Sequence, residues 1–70
     1  MTIDEAQKIS NAKWMEKAKA LAKDRGEAFL VFLGGGASFL HTDVGAARDE
    51  ARRAAAYMGR ERVRIQRIKV

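Results

Sequence analysis

Three groups of side chains in this chain have the types and spacing that chemistry or binding would use. They are Ser38, His41 and Asp43, the run Gly34-Gly35-Gly36, and the basic series Arg60, Arg62, Arg64, Arg67 and Lys69. The first group holds a nucleophile, a base and an orienting carboxylate, which in a hydrolytic triad hydrogen-bond in series. In extended backbone Ser38 and His41 have opposite parity and leave opposite faces. The set therefore cannot assemble without breaking the strand that carries it. His41 reads instead as a strand-end residue beside a helix cap. As the single histidine of the chain it excludes a two-histidine metal site within one copy, and the lack of cysteine excludes thiolate ligands and disulfides. The carboxylate pair Asp49-Glu50 falls on an outer helix face, where solvation accounts for it. No catalytic residue, cofactor or metal site is expected, and an enzyme is disfavoured.

The glycine run invites comparison with a phosphate-binding loop, which needs a following Lys-Ser/Thr and a helix whose N-terminus faces the anion. Here Ala37-Ser38 follows, no lysine is near, and the next element is a strand. The run reads as a hairpin turn.

The basic series remains as the candidate binding surface. The net charge of +5 is unevenly spread: residues 60–70 hold five basic side chains against Glu61, a net of +4. Such a strip favours an anionic partner, either nucleic acid or an acidic protein face. It equally suits an edge strand whose charge deters aggregation. The strand has no aromatic residue on which single-stranded bases would stack, which leaves phosphate contact without sequence reading as its nucleic-acid mode.

The element that must position these groups is Glu27-Ala28-Phe29-Leu30-Val31-Phe32-Leu33, bounded by Gly26 and the glycine run. A strand with one wet face alternates apolar with polar residues. This one has six consecutive apolar residues, so Phe29, Val31 and Leu33 point one way, Leu30 and Phe32 the other, and both faces need cover. It is read as the central strand.

Before it, Thr2-Ile3-Asp4-Glu5 has the form of a capping box and opens a helix from about Ile3 to Asp24. Trp14, Met15, Ala18, Leu21 and Ala22 form its buried stripe. The first turns are weakly amphipathic, with fraying or a bend expected near Ser10-Asn11. After the glycines, Ala37–His41 returns as a second strand. Thr42 or Asp43 caps a helix from about Val44 to Met58, with Val44, Ala47, Ala51, Ala54, Ala55 and Met58 buried. Arg48, Asp49, Arg52 and Arg53 face outward, Asp49 and Arg53 at ion-pair spacing. Gly59 ends that helix, and a last strand runs from about Arg62 to Lys69. In it Val63 and Ile65 share one parity, Ile68 and Val70 the other, which suggests a bulge at Gln66-Arg67. The order α-β-β-α-β with a right-handed crossover predicts an α+β fold, a single domain over residues 1–70, with two helices and a three-stranded antiparallel sheet of order 2-1-3.

Seventy residues lie near the lower size limit for an unstapled domain, and thirteen of the apolar residues are alanine. This thin core, with sheet surface exceeding what two alanine-rich helices cover, predicts a homodimer. Residues 1–26 lack the apolar core of a signal peptide, and no apolar run approaches the roughly 20 residues that span a bilayer. A cytoplasmic protein without a membrane partner is expected.

The segment from His41 to Ile65, with its Thr/Asp-capped alanine-rich helix, glycine stop and charged last strand, is similar to small accessory proteins of phages and mobile elements, anti-CRISPR inhibitors among them. The resemblance covers residues 27–70 in architecture and has no diagnostic motif, so it assigns no functional residue. It implies a non-catalytic interaction protein that binds and blocks a host protein or nucleoprotein complex. The alternative, from the residues themselves, is a small basic nucleic-acid-binding module contacting phosphates through its C-terminal strand.

Overall fold

In the computed structural model, which describes residues 2–69, the elements are α1 (Ile3–Arg25), β1 (Glu27–Leu33), β2 (Gly36–His41), α2 (Val44–Met58) and β3 (Val63–Lys69), with a single 3-10 turn at Arg60–Arg62. The sheet order is β2-β1-β3, and both pairings of β1 are antiparallel. This is the expected α+β topology, with the apolar strand in the middle.

β1 separates two cores. Ala28, Leu30 and Phe32 pack with Ala18 and Ala22 of α1 and with Ile68. Phe29 and Val31, on the opposite face, pack with Ala47 of α2. Trp14, Met15 and Leu21 close the first core and Ala51, Val63 and Ile65 the second. Both faces of β1 are thus covered within one copy, so the bare sheet surface behind the expected homodimer is not there on the central strand. Alanines on the helices let them lie close to a sheet whose own side chains are large.

The Cα atoms span 32 × 31 × 12 Å. Layers pack roughly 10 Å apart, so two helices with a sheet between them exceed the shortest dimension. That dimension matches the width of three strands at about 4.8 Å spacing. The outer margins of β2 and β3 therefore form the two broad sides of a thin slab.

Local signals explain the boundaries. The Thr2 hydroxyl accepts from the Glu5 N–H at 3.1 Å, and the Asp43 carboxylate, not Thr42, accepts from the Ala46 N–H at 3.0 Å. Gly34 and Gly35 both have positive φ (61° and 95°), the condition for a two-residue hairpin whose twist suits its strands.

Four expectations are corrected. α1 runs unbroken through Ser10-Asn11, because Gln7 and Asn11 sit over the hairpin turn rather than in solvent. Val44 is 39% exposed; it is the first helical residue, and burial of α2 begins one turn later at Ala47. Asp49 is not paired with Arg53, which donates to the Asp49 backbone carbonyl at 3.4 Å. The side-chain contact of Asp49 is with Arg52, at 3.9 Å. Finally, β3 has no bulge at Gln66-Arg67: its register with β1 is continuous from Glu27↔Lys69 to Leu33↔Val63. A helix covers each face, so apolar residues of either parity find cover and no register shift is needed. The irregularity falls instead in β2, where Val31 pairs with Phe39 and Phe32 with Ala37, leaving Ser38 as the extra residue. Val70 lies outside the described residues.

Candidate binding surface

The five basic residues of the C-terminal series occupy three different settings. Arg60 and Arg62 lie on the 3-10 turn that leads into β3, and the Arg62 carbonyl accepts from the Gly34 N–H at 2.8 Å, tying that turn to the hairpin. Arg64 is directly opposite Phe32 on the α1 face, with its guanidinium 4.2 Å from the ring centroid. That is cation–π geometry, and it covers an end of the core with a charged group. Arg67 lies opposite Phe29, on the α2 face, and Lys69 lies opposite Glu27 at the strand end, where it borders the cleft beside α1. Arg67 donates to the Glu27 carboxylate at 2.7 Å through Nε, and Nη2 lies 2.7 Å from the same oxygen, a diagonal pair across neighbouring strands. Two members of the series are therefore engaged within the fold. Among the described residues, Arg60, Arg62 and Lys69 have no ion-pair partner.

Side chains from other elements extend the positive field around this strand. On the α2 face a groove of about 680 Å³ runs between α2 and β3, floored by Ala51, Ala55, Val63 and Ile65 and lined by Arg48, Arg52 and Arg60. On the α1 face a cleft of about 390 Å³ is formed by Ile68 with Lys19, Lys23 and Lys69. At the start of β3 a third, of about 320 Å³, lies between Gly34 and Gly35 of the hairpin and Glu61, Arg62 and Arg64. Together the three are lined by eight basic side chains and one acidic one, Glu61.

Arg48, Arg52, Lys19 and Lys23 escaped the reading from sequence. Helical periodicity places them on outer faces, but only the packing of both helices on the sheet brings them beside β3.

The residues weighed for hydrolysis are dispersed. The Ser38 hydroxyl donates to the Gly36 carbonyl at 3.2 Å, and the Asp43 carboxylate caps α2. His41 turns to the α2 face, where Nε2 is buried 3.7 Å from the Glu50 carboxylate. No group of three or more potential metal-ligating side chains occurs among the described residues, and no described helix is long and apolar enough to cross a membrane. The chain matches no known family model, no curated protein and no solved structure.

Proposed function

We propose that the chain is a non-catalytic interaction protein that docks the margin of β3 on an acidic face of a protein or nucleoprotein complex. The observation that carries this reading is the set of three concavities along β3, with eight basic linings against one acidic. Positive potential focused into clefts steers anionic partners and fixes their orientation. The apolar floor of the largest groove favours a protein over a bare duplex, because alanine, valine and isoleucine offer a phosphate backbone nothing. The sharper form, block of a host defence complex in the manner of anti-CRISPR inhibitors, is supported by the architectural likeness alone.

The test is capture from a bacterial lysate, with and without nuclease, using the chain and its Arg60→Glu/Arg62→Glu variant. Both positions are exposed and unpaired, so the variant keeps its fold. A protein retained after nuclease treatment by the parent and lost from the variant is the expected result. Capture that vanishes with nuclease would replace this reading with phosphate binding.

A further inference from the structure

β3 closes one side of the sheet, so along seven residues its outward N–H and C=O groups have no neighbouring strand. Such a row is a template for strand addition. The thin slab makes this margin a broad open side, with the apolar-floored groove beside it on the α2 face. A second copy is a poor occupant. Antiparallel self-pairing about Gln66 would set Arg64 against Ile68, Arg67 against Ile65 and Lys69 against Val63, pairing charge with hydrocarbon throughout, and would double the positive charge along the margin. A strand that carries carboxylates on its α1 side meets Arg64, Lys19 and Lys23 with opposite sign.

Building on the reading that this margin is the binding surface, we infer that β3 accepts a fourth strand: an extended segment of a partner protein in which carboxylates alternate with branched apolar residues. Its backbone completes the open ladder. Period-two alternation sends the apolar side chains over Val63 and Ile65 into the groove, and the carboxylates to the α1 face, where Arg64, Lys19 and Lys23 stand.

The probe is a peptide as long as β3 that alternates glutamate with valine, titrated into isotope-labelled protein while amide exchange is followed. With free peptide tenfold above Kd, alternate β3 amides should exchange about tenfold more slowly. Lys19→Glu/Lys23→Glu should weaken binding by about tenfold, and a lysine-for-glutamate peptide should restore it. An alternately N-methylated peptide, unchanged in charge and side chains, should not bind. Equal binding of the methylated peptide overturns strand addition while leaving β3 as the acidic-partner surface. No binding of the parent peptide, or protection elsewhere, also overturns it. So does the same protection arising in a concentrated sample without peptide, which identifies a second copy as the occupant. Failure of the underlying reading is seen separately, as partner capture that survives Arg60→Glu/Arg62→Glu.

Discussion

The side chain of Asn11 accepts from the Ala37 backbone N–H at 2.9 Å while donating to the Gly35 carbonyl at 3.0 Å. One helical carboxamide thereby satisfies a donor and an acceptor on either side of Gly36, and fastens the hairpin to α1. Its neighbour one turn earlier, Gln7, lies where a Cβ on Gly36 would meet it at 3.2 Å. The polar first half of α1, unexplained as an amphipathic helix, is the surface that holds this turn.

Asn11→Ala should cost about 1–2 kcal/mol, the worth of two partly exposed hydrogen bonds. Tm should fall by about 5–10 °C. Asn11→Asp should be destabilising too, since a carboxylate keeps the acceptor for Ala37 but sets a negative oxygen against the Gly35 carbonyl. A thermal melt of Asn11→Ala within about a degree of the parent would show that the clamp contributes nothing.

Leu30 is fully buried and Phe32 is 5% exposed. An unpaired carboxylate at Leu30 costs several kcal/mol. At Phe32, where Arg64 stands opposite, loss of the ring alone costs about 3–5 kcal/mol. Each is comparable to the roughly 5–15 kcal/mol that holds a domain together. Leu30→Asp and Phe32→Asp should each abolish the cooperative transition in circular dichroism. Val44→Asp should leave it within about 0.5 kcal/mol of the parent, although sequence periodicity groups Val44 with the core.

The Glu27–Arg67 pair is short, yet its side chains remain 35% and 56% exposed. Solvent screening limits such a pair to about 1 kcal/mol or less. A double-mutant cycle on Glu27→Gln and Arg67→Gln, read by urea denaturation, should give a coupling in that range. A coupling above about 2 kcal/mol would mean that the pair staples β3 to β1 far more strongly than its exposure permits.

Arg60→Glu/Arg62→Glu also separates protein from phosphate binding in a purified system. If these arginines neutralise phosphates, log affinity for arbitrary duplex falls with log salt at about −0.9 per phosphate. The double variant then flattens the slope by about two units. On the reading proposed above, duplex binding is weak at physiological salt and indifferent to the substitutions. Arg64 is a poor choice for this test, because it covers Phe32 and its loss disturbs the core.

The sequence by itself determined the architecture. Six consecutive apolar residues in β1 demanded cover on both faces, which placed that strand in the centre; that one helix supplies the cover on each face was decided by the tertiary structure. Gly26, the run Gly34-Gly35-Gly36, Gly59, and caps at Thr2 and at Thr42 or Asp43 marked the element ends, because backbone freedom and orphan N–H groups are local properties; the fold chose Asp43 for the second cap. Tertiary structure alone decided the β3 surroundings. Arg60 and Arg62 fell on a turn, Arg64 went to Phe32 and Arg67 to Glu27, while Arg48, Arg52, Lys19 and Lys23 came in from helices far along the chain. A one-dimensional charge run shows how much charge is present. Which charges are spent inside the fold, and which gather at a common edge, depends on the strand order and on the faces that α1 and α2 cover.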